Sequence, residues 1–247
     1  MINVIIIGNG NVATQLSKAL MKSDACNLVQ IYSRSKPDNY FIEKNIETTQ
    51  KLNKIKNADL YIISISDDAI SEFSKKMNFK NKLVVHTSGS VSMAELKCNT
   101  NKGVFYPLQT ISKNKKVSFK NIPLCIEAET KNDLKLLNKV AKSISNKVYF
   151  IDSEQRKSLH VSAVFVNNFT NHLYKIANDL CNDYKVDFEI LKPLINETAK
   201  KIKKLSPKEA QTGPAIRNDK KTINKHLELL NKNQQKIYTL LSNSIRE

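Results

Sequence analysis

The chain has 247 residues, 40% of them hydrophobic, and sets 40 Lys and Arg against 23 Asp and Glu for a formal net charge of +17. That length and apolar content can build one large domain or two modest ones, while no stretch approaches the roughly 20 uncharged apolar residues that cross a bilayer. The charge is nearly all lysine, with Arg34, Arg156, Arg217 and Arg246 the only arginines, so a solvated basic surface is expected rather than the bidentate donors of a nucleic-acid reader.

Met1 leads straight into a strand pattern, without the basic and long apolar regions of a secretory leader. Cys26, Cys98, Cys125 and Cys181 lie far apart, with no C-x-x-C pair and no histidine at metal-ligand spacing. A cytoplasmic protein with reduced thiols, no metal, no membrane partner and no nucleic-acid partner is expected.

From residue 1 to 151, short apolar runs alternate with amphipathic stretches, the βαβ pattern of a parallel sheet covered by helices. Strands are predicted near 3–7, 28–32, 59–65, 82–86, 103–106, 122–126 and 147–151. Helices are predicted over 11–22, 69–78 and 131–145, with irregular chain over 36–58 and 107–121. The first strand runs into Gly8-Asn9-Gly10-Asn11-Val12-Ala13, a G-x-G-x-x-A turn opening an amphipathic helix. Gly8 permits the tight turn, Gly10 lets a pyrophosphate approach the backbone, and Ala13 lets helix and strand pack closely. The helix N-terminus adds unpaired N–H groups.

The end of the second strand reads Tyr32-Ser33-Arg34-Ser35-Lys36. An acidic residue there would favour the ribose 2′-OH of NAD; hydroxyls and a guanidinium fit the 2′-phosphate of NADP. NADP is therefore expected over NAD. Two later strand ends, Ser64-Ile65-Ser66-Asp67-Asp68 and His86-Thr87-Ser88-Gly89, should border the same crevice. For Asp67, Asp68 and Ser88, capping of the following segment is an equal alternative to ligand contact.

Beyond 152 nothing has a strand pattern, and an all-helical domain over 152–247 is expected. Asp152 with Gln155 forms a capping box for a long helix reaching about 183, a second helix fits 187–204, and a third spans about 218–245. At α-helical spacing His160, Val164, Asn167, Asn168 and Asn171 share one stripe, one imidazole and three amides. Those amides are candidate substrate ligands and His160 a candidate proton-transfer group, with a solvent face or a satisfied interdomain polar network as the alternatives. Before the last helix, Gln211, Thr212 and Arg217 crowd around Gly213-Pro214, and Asp219 can cap the helix or orient Arg217 or His160. Gln109, in Tyr106-Pro107-Leu108-Gln109-Thr110, stands at another strand end.

These motifs together, and the run Gln211 to Asp219 in particular, resemble a family of Rossmann-like bacterial oxidoreductases. It lies within the 6-phosphogluconate dehydrogenase and pyrroline-5-carboxylate reductase superfamily. The resemblance implies an N-terminal NAD(P) domain, a helical C-terminal domain that often dimerises, and an active site in the cleft between them. Hydroxyacid dehydrogenases of that superfamily carry Lys-x-x-Asn-Asn on the first long helix of the helical domain, the lysine acting as acid and base. Here the run is Val164-Phe165-Val166-Asn167-Asn168, so the lysine is missing and His160, one turn earlier, is the candidate in its place.

The expectation is an α/β Rossmann domain followed by an all-α domain, forming an NADP-dependent oxidoreductase of a small C=O or C=N substrate and a homodimer through the helical half. His160, Asn167 and Asn168 are the expected catalytic residues. Asn171, Gln109, Gln211, Thr212 and Arg217 are expected at the substrate, and Gly8, Asn9, Gly10, Asn11, Val12, Ser33, Arg34, Ser35, Ser64, Ile65, Ser66, His86, Thr87 and Ser88 at the cofactor. The competing expectation is a protein that binds NADP as a sensor or scaffold without turnover.

Overall fold

Val4, Ile5, Ile6 and Ile7 are completely buried, and their alternation supplies two opposite cores. Val4 and Ile6 pack with Leu60, Ile62 and Leu16 on one face; Ile5 and Ile7 pack with Tyr61, Ile63 and Ile70 on the other. A strand that is apolar on both faces belongs in the middle of a sheet covered on both sides by helices. In the computed structural model, which describes residues 1–77, 79–112 and 117–247, it does.

The strands are β1 (Ile2–Ile7), β2 (Cys26–Tyr32), β3 (Glu47–Thr49), β4 (Leu60–Ile63), β5 (Leu83–His86), β6 (Asn101–Pro107), β7 (Leu124–Ala128) and β8 (Val148–Phe150). They form one eight-stranded sheet in the order β3-β2-β1-β4-β5-β6-β7-β8. All neighbours are parallel except β6 with β7. The order turns back between β1 and β4, and a ligand crevice opens at the carboxyl ends of such strands. Helix α1 (Asn11–Leu20) follows β1, and α2 (Asn39–Glu43), α3 (Asp67–Ser74) and α4 (Lys131–Ile144) follow in turn.

The irregular segment expected over 36–58 contains α2 and β3. Glu47-Thr48-Thr49 has no apolar run to announce a strand, and the edge position beside β2 creates it. Of the predicted helix over 69–78, the last residue lies outside the described residues, as do 113–116 of the irregular segment at 107–121.

The chain divides into two compact units, 1–167 and 168–247. The expected boundary after 151 marks the end of the sheet, yet α5 (Ser153–Ala163) belongs with the first unit. Its Asp152–Gln155 capping box is present. From Val164 to Phe169 the backbone is π-helical, so the α-helical spacing that put His160, Val164, Asn167, Asn168 and Asn171 on one stripe does not hold: a π turn takes more residues than an α turn.

The second unit contains α6 (Thr170–Asp183), α7 (Lys192–Lys201), α8 (Pro207–Ala210), α9 (Lys220–Glu228) and α10 (Lys232–Arg246). The segment expected as one helix over 187–204 is a 3-10 turn, Phe188–Leu191, followed by α7. The last expected helix is two, separated at Leu229 to Asn231. Asn231 accepts hydrogen bonds from the backbone of Asn233 and Gln234, and the Gln234 side chain in turn accepts one from the Asn231 N–H. This capping box restarts the chain as α10. No helix among the described residues is long and apolar enough to cross a membrane.

Candidate functional site

A cleft of about 1030 Å³ opens at the carboxyl ends of β1, β2, β4 and β5. Its floor is the glycine turn. Gly8 has φ +131, and a Cβ there would collide with the Ser64 carbonyl, so only glycine lets β1 and β4 approach at this point. Gly10 has no such constraint: nothing lies within 4 Å of where its Cβ would be. It is the N-cap of α1 and, being glycine, puts no side-chain cap on the first turn. A turn held tight by one glycine and left open by the next is a cradle into which a pyrophosphate fits.

The walls carry Asn9, Asn11 and Val12 from the turn, Tyr32, Ser33, Arg34 and Ser35 from the end of β2, and Ser64, Ile65 and Ser66 from the end of β4. Arg34 is exposed while Ser33 is buried, its hydroxyl donating to the Ser35 carbonyl. The Asn9 amide donates to the Lys36 carbonyl at 2.9 Å, tying this loop to the glycine turn. Lys76 also faces the cleft.

The same cleft is bordered by Thr87, Ser88 and Gly89 after β5, by Tyr106 on β6, and by His160 on α5. The Tyr106 hydroxyl lies 3.1 Å from His160 Nδ1, with the two rings edge to face. Gly89 makes this pairing possible, because a Cβ there would fall 2.5 Å from His160 Nδ1 and 2.8 Å from Tyr106 Cζ. One turn before His160, Arg156 is buried and joins three elements. Its guanidinium pairs with Glu127 of β7 and donates to the Val91 carbonyl and the Ser153 hydroxyl. Ser153 in turn donates to Glu127 and accepts from the Met93 N–H. These bonds fix α5, and with it His160, against the loop that carries Gly89.

Burial pushes the Tyr106 phenol up to about 12, with the Cys125 thiol and Asp67 carboxylate acting in the same direction and the Arg156 guanidinium opposing them. The phenol is therefore protonated throughout the neutral range. His86, fully buried, is held down to about 4 by burial and by the nearby Arg156 charge.

Residues 122–245 match a family described as a domain of unknown function, DUF2520. A protein from Bacteroides fragilis provisionally named an NADP oxidoreductase is 43% identical, over 99% of this chain and 98% of its own, with a TM-score of 0.89. The chain belongs to the DUF2520 family. At lower identity the fold recurs in a Thermotoga maritima protein, 20% identical over 98% of this chain and 96% of that one, TM-score 0.75. It recurs also in a reductive aminase from Aspergillus terreus, 14% identical over 99% and 92%, TM-score 0.66. No curated protein matches the chain.

In this DUF2520 protein the cleft gathers the expected cofactor residues Gly8 to Val12, Ser33 to Ser35, Ser64 to Ser66, Thr87 and Ser88 beside His160. His86 is the exception. It ends β5 with its side chain in the interior, and its Nδ1 accepts the Ser88 N–H at 3.2 Å. Ser88 and Asp67 both line the cleft and both make local bonds: the Ser88 hydroxyl accepts from the N–H of Ser90 and of Val91, and the Asp67 carboxylate accepts from the Ser90 hydroxyl.

Gln109 is exposed, bonded to the Thr110 N–H, and does not line the cleft; Asn167 is exposed and does not line it either. Asn168, Asn171, Gln211, Thr212 and Arg217 are exposed residues of the second unit. There the Gln211 amide donates to the Thr212 carbonyl, and Asp219 caps α9, accepting from the Thr222 N–H and hydroxyl. Gly89 and Tyr106 lie in strand ends that the sequence places at the crevice, but without a role there; Arg156 is not among the expected site residues. The available signals were an arginine one helical turn before His160 and a tyrosine at a strand end.

Proposed function

We propose that this protein is an NADP-dependent oxidoreductase that reduces a small C=O or C=N substrate. The observation that carries the proposal is a single cleft containing a bare glycine cradle, an Arg34 strand end free of carboxylates, and a Tyr106–His160 pair. The name given to the Bacteroides fragilis relative supports the same reading. Gly8 to Val12 would hold the pyrophosphate on the N–H groups of α1, and Ser33, Arg34 and Ser35 would hold the 2′-phosphate. When bound, the cofactor supplies hydride. The chain itself supplies orientation and a proton, from groups that Arg156 and Gly89 keep in place.

The missing lysine at Val164 does not leave the protein without a proton source, since Tyr106 and His160 stand at the cleft. Asn168, Asn171, Gln211, Thr212 and Arg217 remain candidate substrate ligands, to be tested by substitution. We propose further that the protein is a homodimer through its helical unit. In that unit Ala215 is the sole buried hydrophobic residue among those described, while Ile190, Leu194 and Leu240 are each more than 60% exposed.

The test is a fluorescence titration with NADPH and with NADH. Arg34→Ala should weaken NADPH binding by roughly ten- to a hundredfold, the worth of a charge-assisted phosphate contact, and leave NADH binding nearly unchanged. Equal binding of the two cofactors by the unaltered protein would overturn the NADP assignment. Tight NADPH binding with no oxidation by any aldehyde, ketone or imine would favour a sensor.

A further inference from the structure

Tyr106, at the C-terminal end of β6, is 8% exposed and lines the cleft; His160, on α5, lines the same cleft and is half-buried, so it exchanges with water. The two share one hydrogen bond, at 3.1 Å, whose direction depends on the imidazole. With Nδ1 unprotonated, the phenol donates to it and can offer the cleft only an acceptor lone pair. With the imidazole protonated, Nδ1–H donates to the phenol oxygen and the phenolic O–H is released toward the cleft.

We propose that Tyr106 is the catalytic proton donor and that His160 is the positioning residue that resupplies it through Nδ1. The inference rests on the oxidoreductase reading. As hydride reaches the substrate carbon, the Tyr106 O–H bond breaks and its proton goes to the substrate oxygen or nitrogen. The Nδ1–H bond of His160 breaks as the phenol O–H bond re-forms. The net change is one imidazolium converted to imidazole, which solvent then reprotonates. No free phenolate accumulates, and none is expected of a group that burial holds protonated.

Among the described residues, the charged and titratable groups that act on the phenol are the Asp67 carboxylate on α3, the Cys125 thiol on β7 and the Arg156 guanidinium on α5. His86 on β5 stays neutral down to about 4. Reduction should be fastest with the imidazole protonated and should fall as it loses its proton.

Two measurements on the full chain test the relay. In protein labelled at tyrosine Cζ, the resonance absent from Tyr106→Phe should move with the same midpoint as the His160 imidazole signals, and should stop moving in His160→Gln. A Tyr106 signal indifferent to the His160 titration overturns the relay whether or not a substrate is known.

NADPH oxidation is then followed with benzaldehyde, cyclohexanone and a cyclic imine as probes. Tyr106→Phe should lose on the order of a hundred- to ten-thousandfold in kcat on any probe accepted, with NADPH affinity within about twofold. His160→Gln should lose less and lack the alkaline fall. A Tyr106→Phe chain that keeps its kcat overturns the proposal. Failure of the unaltered protein to bind NADPH would instead remove the oxidoreductase reading, a result the binding titration separates from both others.

Discussion

Gly8 and Gly10 occupy one turn for different physical reasons, and substitution separates them. At Gly8 both the positive φ and the Ser64 carbonyl oppose a side chain, so Gly8→Ala should cost about 3 kcal/mol or more in urea unfolding. At Gly10 there is room. Gly10→Ala should leave stability within about 0.5 kcal/mol, while a methyl in the pyrophosphate cradle weakens NADPH binding on the order of tenfold or more. A Gly10→Ala chain that binds NADPH normally would show that the turn is not the cradle.

Buried His86 makes a second residue-scale prediction. Its value in the folded chain, about 4, lies below the ordinary 6.5, so the unfolded chain binds the extra proton between those values. Stability is complete above about 6.5 and falls as pH drops toward 4, by up to roughly 3 kcal/mol. His86→Asn should flatten that part of the profile.

At the scale of elements, the joint of Arg156, Glu127, Ser153 and the Val91–Met93 loop holds α5 to the sheet. Removing one member of a buried ion pair strands the other, so Arg156→Met should cost about 3 kcal/mol or more, and a further Glu127→Leu change should restore part of it. If Arg156→Met unfolds at the same urea concentration as the parent, the joint is not what holds α5.

Most elements were legible because they announce themselves locally. The β1, β4 and β5 runs are apolar enough to be buried strands, and the Asp152 box starts α5 where the sequence places it. In the helical half the differences share a cause: apolar periodicity runs on through places where hydrogen bonding interrupts the helix. Apolar spacing carries across Leu229 and Leu230, yet the Asn231–Gln234 capping box ends one helix and begins another. The Asn-Asn run continues the α-helical spacing from His160, yet Val164–Phe169 is π-helical, and nothing in the residue types marks that change of pitch.

Among the described residues, the first unit holds all three apolar cores, whereas the second leaves Ile190, Leu194, Leu229 and Leu240 exposed around a single buried alanine. A helical unit of this size without a core of its own is stable only if something covers that surface. With a second copy as the covering partner, sedimentation should report a dimer at micromolar concentration. Leu240→Asp with Ile190→Asp should shift it toward monomer and lower the helical signal. A monomeric parent chain would refute the dimer.

Sequence alone determined the Rossmann turn, the carboxylate-free end of β2 and the split between a sheet-forming half and a helical half. Each is a short-range pattern whose physics lies within a few neighbouring residues. The pairing of Tyr106 with His160, the need for Gly89 between them and the Arg156 joint were decided only in three dimensions. Tyr106, on β6, and His160, on α5, are separated by 54 positions, and the sheet order brings them together.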